Sequence, residues 1–145
     1  IKLCFSLDKK NRYVGAKIRE GGFTATDTEL QSVEMDGNLT QTPEFPYNWM
    51  YDGSRPQMPG FEMEITCKSL FLIFKDSGET DVGKANIFVN DVYCMTADPH
   101  KNNWLHCNAV LLFWETESRS HKVRITVTEE DRNKKFTILG FGYTI

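Results

Sequence analysis

The sequence has no hydrophobic run of membrane-spanning length and no strong excess of charge. Its apolar runs, such as Leu70–Phe74 and Ala109–Trp114, are far shorter than the ~20 residues that a membrane-spanning helix needs. Its 17 basic and 20 acidic residues give a formal charge of -3, and the basic residues are scattered singly or in pairs rather than clustered as in nucleic-acid-binding proteins. We therefore expect a soluble protein whose partners include neither nucleic acid nor membrane.

The sequence also lacks the short signatures of common catalytic sites. It contains no Gly-x-Ser-x-Gly, no glycine-rich phosphate loop and no His-Glu-x-x-His. Its three histidines are His100, His106 and His121, and none stands in a local pattern with a nucleophile and a carboxylate. We interpret His121, just before a regular strand, as solvated, and the Glu62/Glu64 pair as a surface feature. The chain is thus expected to bind a ligand rather than to be an enzyme. Catalysis by this chain would require that folding brings His100 or His106 next to a nucleophile.

Closely spaced cysteine pairs are absent as well. Cys4, Cys67, Cys94 and Cys107 lie far apart in the sequence, without the spacing of zinc or redox motifs. A domain of this length can build a core without disulfides, so we interpret the cysteines as buried thiols. The minor alternative is a zinc site that combines Cys94, Cys107 and His106.

What the sequence has instead is the period-two alternation of half-buried strands. Apolar and polar residues alternate through Phe61–Lys68, which places one set on a buried face and the other on a solvated face. The segments Leu70–Phe74 and Ala109–Trp114 are apolar throughout, which is typical of strands covered on both faces. Strand patterns on either side of Asn90-Asp91 and of Glu129–Lys135 predict two hairpins.

These elements predict a single domain over residues 1–145, an all-β antiparallel β-sandwich of the jelly-roll type. No window carries a helical stripe, so helix is limited to a turn or two. A bend near Lys68-Ser69 should separate two strands. The segment Met35–Gly60 contains four of the five prolines and is expected to be a long irregular loop with a function. Because Ile1 already lies in a strand pattern, without a signal peptide or initiator Met, we expect a module excised from a longer protein.

Aromatic residues interleaved with amides point to sugar binding, because a flat ring can stack on the C–H face of a sugar while polar neighbours bind its hydroxyls. Trp49 lies in the proline-rich segment, and Trp104 would share a strand face with His106 and Asn108. We predict that both tryptophans stack on sugar rings, although core or rim packing is an open alternative for each. The expected hydrogen-bonding residues are Tyr47, Asn48, Lys75, Asp76, His106 and Asn108.

Several sequence blocks resemble a known family, namely the jelly-roll accessory domain of SGNH/GDSL-type carbohydrate esterases from anaerobic gut and rumen Firmicutes. The blocks are Phe61–Glu64, Cys67–Asp76, Trp104–Leu112, His121–Val123 and Phe136–Tyr143. The resemblance implies a galactose-binding-like sandwich that acts as a carbohydrate-binding module in a secreted plant-polysaccharide-degrading enzyme, covalently linked to its catalytic domain. It does not imply esterase activity here, because the Gly-Asp-Ser and Asp-x-x-His motifs of SGNH catalytic domains are missing.

The main functional hypothesis is non-catalytic binding of a plant cell-wall β-glycan such as a glucan, xyloglucan or mannan. The alternative is a structural docking module that packs on an esterase catalytic domain through the same aromatic loop. Sandwiches of this type often hold a structural calcium ion, to which Asp76, Glu79 and Asp81 could contribute oxygen ligands. Their spacing matches no recognised calcium loop, so neither a metal site nor another cofactor is predicted.

Overall fold

Nearly all of the regular structure is β-strand. The computed structural model of the chain describes residues 4–30, 32–34 and 41–145. Among these residues the only helical element is a 3-10 turn, Glu129–Asp131, and no helix is long and apolar enough to cross a membrane. The strands are β1 (Phe5–Leu7), β2 (Ala16–Arg19), β3 (Ser32–Glu34), β4 (Gln41–Pro43), β5 (Trp49–Tyr51), β6 (Phe61–Asp76), β7 (Ala85–Val89), β8 (Val92–Ala97), β9 (His106–Val127) and β10 (Phe136–Thr144). The predicted all-β class is confirmed.

Two long strands, β6 and β9, organise the sheet. They pair antiparallel from Phe61 opposite Ile125 to Asp76 opposite His106. The first half of β6 also pairs with β2, and the second half of β9 pairs with β7, which continues into β8. The second half of β6 pairs with β10, which in turn pairs with β1 and β5. Each long strand therefore takes part in two groups of neighbours, one at each end.

Irregularities in the β6–β9 pairing divide these two groups. The register shifts between Cys67 and Ser69 and again between Leu70 and Phe71, and such bulges bend and twist a strand without ending it. The predicted bend is therefore confirmed, but the prediction of two separate strands is wrong, because β6 is continuous. The strands predicted on either side of residues 115–121 are likewise parts of the single strand β9.

The two predicted hairpins have different outcomes. The turn at Asn90-Asp91 is confirmed, and its φ values of 52° and 66° are the left-handed conformation of a two-residue hairpin turn. The hairpin predicted around Glu129–Lys135 is wrong, because β6 lies between β9 and β10 and pairs with both. Alternation specifies which face of a strand is buried but not which strand lies beside it.

The core lies where the two groups of strands face each other. Phe61 of β6 packs against Trp49 of β5 and Phe141 of β10, with ring centroids 5.2 and 5.8 Å apart. Phe23 approaches the same ring at 6.1 Å. All four side chains are at most 1% exposed, and each buries a large apolar area. Rings from the two groups of strands thus pack against each other, as in the predicted antiparallel sandwich, which is confirmed.

The proline-rich segment is more regular than predicted. Its residues 35–40 lie outside the described part of the chain, but β4 and β5 follow within it. Strand β5 pairs with Phe136–Ile138 of β10, and its residues Trp49 and Tyr51 are buried on either side of the half-buried Met50. This alternation is that of a strand at the rim of the core rather than of an irregular loop.

The four cysteines are free thiols in different surroundings. Cys67 is buried, whereas Cys4 and Cys94 are exposed and Cys107 is intermediate, so the expectation of buried thiols is right for Cys67 and wrong for Cys4 and Cys94. Desolvation by burial raises the pKa of the Cys67 thiol to about 12, which keeps it protonated at neutral pH. Within residues 4–30, 32–34 and 41–145, no group of three or more His, Cys, Asp or Glu side chains is placed to hold a metal ion.

Candidate functional site

Trp104 is held flat against His106 in the segment that leads into β9. The two ring centroids are 4.9 Å apart and the ring planes differ by 4°. The Trp104 side chain is nevertheless 56% exposed, because the imidazole covers only one of its faces. Trp104 and His106 therefore lie together as predicted, but Trp104 lies in a bend before β9 rather than on a strand face shared with His106 and Asn108. The stack leaves an indole surface open to a ligand.

Asp76, at the end of β6, anchors the loop that carries Trp104. Its two carboxylate oxygens accept hydrogen bonds from the backbone N–H of Asn102, each at 3.1 Å. Asn108 donates its side-chain amide to Asp76 Oδ2 at 2.7 Å and accepts a hydrogen bond from the Asn102 amide at 3.2 Å. Asp76 is completely buried, so the prediction that it binds sugar is wrong. Asn108 is only partly buried, and its contact with sugar stays a prediction beside this structural role.

The same loop packs closely on Gly78. A Cβ atom on Gly78 would lie 2.6 Å from the carbonyl oxygen of Asn103, well inside van der Waals contact. Asn103 itself has a φ of 60°, a left-handed conformation that asparagine tolerates better than most residues. Glycine at position 78 thus allows the backbone of the Trp104 loop to lie directly on the turn after β6.

A cleft of about 380 Å³ lies beside the exposed indole, at the lower end of the sizes of ligand clefts in proteins. Its lining residues are Glu29, Lys75, Ser77, Gly78, Glu79, Asn103, Trp104 and Leu105. A second depression adjoins it and shares Glu29, Lys75, Ser77 and Glu79 with it. One wall is therefore aromatic and the floor offers carboxylates, a hydroxyl and backbone groups, which suits a ligand with apolar C–H faces and many hydroxyls.

Lys75 forms part of this floor through a buried network. Its Nζ donates to Asp27 Oδ2 at 3.0 Å, and the two side chains are 9% and 6% exposed. Asp27 also accepts hydrogen bonds from the Thr137 hydroxyl at 2.5 Å and from the Glu29 N–H at 2.9 Å. The network holds the segment before β3 against β6 and β10, so Lys75 positions the cleft; its predicted contact with sugar stays a prediction.

The predicted site residues of the proline-rich segment lie elsewhere. Trp49 is completely buried and donates its indole N–H to Glu20 Oε2 at 2.9 Å, so the prediction that it stacks on sugar is wrong. Asn48 is also completely buried, and its amide binds both the N–H and the C=O of Asp27, so its predicted sugar contact is wrong as well. Tyr47 is 43% exposed but does not line the cleft.

Two histidines have structural partners rather than solvent around them. His121 is only 7% exposed, with Nε2 2.9 Å from Glu115 Oε1 and Nδ1 3.0 Å from the Asn90 side-chain amide. The prediction that it is solvated is wrong, because the Phe113 ring, 4.1 Å away, and the side chains of Glu115 and Asn90 cover it. The two ring nitrogens of His100 lie 3.0 and 3.1 Å from the carbonyl oxygens of Ser77 and Val82, so this ring ties the turn after β6 to the segment before β9.

Glu29, Ser77, Glu79 and Asn103 line the cleft but were not among the residues predicted to bind sugar. They come from three segments that are distant in the chain. The turn residues after β6 were recognisable as a turn, but turn chemistry alone does not indicate what the turn faces. Only folding brings these polar groups to Trp104.

The cleft geometry depends on the close approach at Gly78, which leads to a direct prediction. Gly78→Ala is expected to displace the 102–105 loop, because the added Cβ would overlap a backbone oxygen that cannot rotate away. We expect glycan affinity to fall at least about tenfold. The unfolding free energy should fall by about 1–3 kcal/mol, because the displaced loop carries the Asn102 N–H that the buried Asp76 carboxylate accepts. Gly53→Ala meets the backbone of Asn133 at 2.7 Å outside the cleft, and the φ of 80° at Gly53 adds backbone strain. It is therefore the more disruptive change of the two, and as a control it should leave affinity unchanged. Equal affinity of Gly78→Ala and the unmodified protein would contradict this role.

No protein-family model matches the sequence, and a search of curated proteins finds no match. Solved structures do share the fold. A two-domain esterase active on acetylated mannans, co-crystallised with mannopentaose, has a TM-score of 0.60 and 14% identity over 97% of this chain and 36% of its own. An acetyl xylan esterase from the rumen bacterium Butyrivibrio proteoclasticus has a TM-score of 0.56 and 14% identity over 98% of this chain and 32% of its own.

A carbohydrate-binding module is also similar to the chain over its full length. The native family 35 module from Clostridium thermocellum has a TM-score of 0.50 and 14% identity, covering 99% of this chain and 100% of its own. The chain spans about a third of the length of the esterase chains that it matches. At this level of identity the comparisons establish the sandwich fold.

Proposed function

We propose that the chain is a non-catalytic carbohydrate-binding module that binds a plant cell-wall β-glycan, such as a glucan, xyloglucan or mannan, beside Trp104. The observation that carries the proposal is the exposed indole, held flat on His106 at the edge of a polar cleft. Structures with the same fold include a carbohydrate-binding module and an esterase active on acetylated mannans, which supports carbohydrate as the ligand class.

The chemistry of the cleft fits a hydroxyl-rich ligand better than a charged one. Trp104 offers a rigid apolar surface for the C–H face of a sugar ring, and stacking on the imidazole below keeps it in place. Glu29 and Glu79 can accept hydrogen bonds from hydroxyl groups, while the ammonium group of Lys75 is already paired with Asp27. Because Glu29 and Glu79 form no ion pair with any described residue, the uncompensated charge of the cleft is negative, and we infer a preference for neutral polysaccharide chains.

Affinity gel electrophoresis tests this proposal directly. Gels containing xyloglucan, mannan, xylan or soluble cellulose derivative are expected to retard the protein. Trp104→Ala should lower the affinity derived from the retardation at least about tenfold, because truncating a tryptophan that anchors a binding site typically costs about 2 kcal/mol or more. Trp114→Ala is the matched control: Trp114 is 77% exposed but lies eight residues beyond His106 on β9. Unchanged mobility on every glycan, or full retardation of Trp104→Ala, would refute the proposal.

The same gel tests whether glycan binding requires a calcium ion. Of the three carboxylates considered for calcium, Asp76 is buried and bound to Asn102 and Asn108, and Asp81 pairs with Lys135 at 3.2 Å. We therefore propose that glycan binding needs no metal ion, and EDTA in the gel should leave the retardation unchanged.

The parent protein forms part of the proposal too. The esterase chains that share this fold are about three times as long as the chain, which supports a covalently linked catalytic domain as a partner. Secretion follows from the ligand, because a plant cell-wall polysaccharide lies outside the cell that degrades it. The exposed Leu111 and Trp114 on β9 are the side chains that a docking role on such a domain would use.

A further inference from the structure

A second cleft lies at the opposite end of the β6–β9 pair from Trp104. It has a volume of about 260 Å³ and is lined by Phe23, Tyr51, Met58, Pro59, Gly60, Arg124, Thr126, Val127 and Arg132. Phe23, Tyr51 and Val127 are at most 5% exposed and give it an apolar floor. Among the described residues, the lining contains two cationic groups, the guanidinium groups of Arg124 and Arg132, and no carboxylate.

The guanidinium of Arg124 is held in place but has no anionic partner. Its carbon lies 4.1 Å from the centroid of the Phe88 ring, a stacked arrangement that leaves the N–H donors pointing outwards. Glu62 is opposite Arg124 on β6, but its carboxylate pairs with Arg19 at 2.9 Å and with Lys122 at 3.5 Å. Within the described residues, no hydrogen bond or ion pair uses the donors of Arg124.

Arg132 is also incompletely used by the protein. Its Nη1 donates to the carbonyl of Pro56, and its Nη2 lies 3.4 Å from Glu129 Oε2, on a side chain that is 91% exposed. Its Nε is buried. Of the buried side-chain N and O atoms in the described residues, this is the one that has no hydrogen-bond partner. Buried donors are almost always paired, and Nε and Nη2 form the edge on which guanidinium groups bind carboxylates through two hydrogen bonds.

We propose that this second cleft binds a carboxylate group carried by a saccharide. As the Arg132 side chain turns towards the cleft, the carboxylate takes the place of Glu129 at its Nε–Nη2 edge. The same carboxylate accepts further hydrogen bonds from Arg124. The apolar floor takes the C–H face of the sugar ring. Only the choice of a saccharide as carrier rests on the function proposed above; the anion site rests on the two arginines.

A matched pair of small probes tests the charge requirement. Methyl β-D-glucuronide and methyl β-D-glucoside differ only in the group at C6, and ¹⁵N-resolved NMR titration reports where each one binds. We expect the glucuronide to shift the amide signals of Gly60, Thr126 and Arg132, with an affinity at least about tenfold above that of the glucoside, because charge-assisted hydrogen bonds contribute about 1.5–3 kcal/mol. Raising the ionic strength should weaken the glucuronide complex.

Variants separate the arginines from general charge effects. Arg124→Gln is expected to weaken glucuronide binding at least about tenfold, and Arg132→Gln provides a second, independent loss. Arg119→Gln removes the same charge from a side chain that is 65% exposed and outside the cleft, and it should leave the affinity within about twofold. Circular dichroism confirms that each variant is folded before the titration.

The outcomes distinguish this cleft from the Trp104 cleft. Equal shifts by both glycosides, full glucuronide affinity in Arg124→Gln, or shifts confined to Ser77 and Asn103 would overturn the proposal. Trp104→Ala should leave the glucuronide titration unchanged. Glucuronide binding at the arginines without retardation by any neutral glycan would refute only the proposed β-glycan function, and retardation lost in Trp104→Ala with no glucuronide shifts would refute only the anion site.

Discussion

Asp27→Ala is expected to lower the free energy of unfolding by about 3–5 kcal/mol, the range found when one partner of a buried ion pair is removed. The variant leaves the ammonium group of Lys75 in a site where its side chain is only 9% exposed. It also removes the acceptor of the Thr137 hydroxyl and of the Glu29 N–H. Urea unfolding followed by tryptophan fluorescence measures the change.

A surface ion pair provides the control for this prediction. Arg19 pairs with Glu62 at 2.9 Å, but its side chain is 78% exposed, so Arg19→Ala should change the unfolding free energy by at most about 1 kcal/mol. Asp27→Ala should also weaken glycan binding. The segment that it releases is the one that holds Glu29 in the Trp104 cleft of the unmodified protein. A loss of less than about 1 kcal/mol in Asp27→Ala would contradict the role given to the network.

Trp49→Ala is expected to cost about 3–5 kcal/mol of unfolding free energy, as for other truncations of large buried aromatic residues. The indole fills the space beside Phe61 and Phe141, with centroids 5.2 and 6.1 Å away, and is completely buried. The change leaves a cavity in the core and removes the partner of the Glu20 carboxylate. Thermal and urea unfolding would both report the loss.

The two tryptophan variants are expected to have opposite effects. At a temperature where it is folded, Trp49→Ala should retain its glycan affinity, because the residue has no exposed surface. Trp104→Ala should lose affinity and keep its stability within about 1 kcal/mol, since its side chain is largely exposed. Loss of glycan binding by folded Trp49→Ala would mean that the core residue also shapes the site.

The sequence was sufficient to predict the strands that have one buried and one solvated face. In the first half of β6, Phe61, Met63, Ile65 and Cys67 are all buried, as their alternation with polar residues requires. The hairpin at Asn90-Asp91 was predictable for a similar reason, because its turn chemistry acts over two residues. The contact of Trp104 with His106 is also local, since the two residues are two positions apart, although Trp104 lies in the bend before β9 rather than on the strand.

Neighbour relations between strands were not predictable in the same way. The segments on either side of Glu129–Lys135 have the pattern of a hairpin, yet β6 lies between them. The pattern within a strand reports burial of its side chains, whereas the choice of neighbour depends on packing across the whole sandwich. The prediction that Ala109–Trp114 is covered on both faces is also wrong, because Leu111 is 46% and Trp114 77% exposed. An apolar run does not indicate which of its side chains another element will cover.

What the sequence by itself determined is the all-β class, the half-buried strands and the local pair of Trp104 and His106, since each depends on residues within a few positions of one another. The tertiary structure decided which tryptophan is available: Trp49 enters the core because β5 pairs with β10, and Trp104 remains outside. It also decided the cleft, because Glu29, Lys75 and Glu79 meet beside Trp104 only through long-range packing. Contacts between residues distant in the chain leave no local pattern in the sequence.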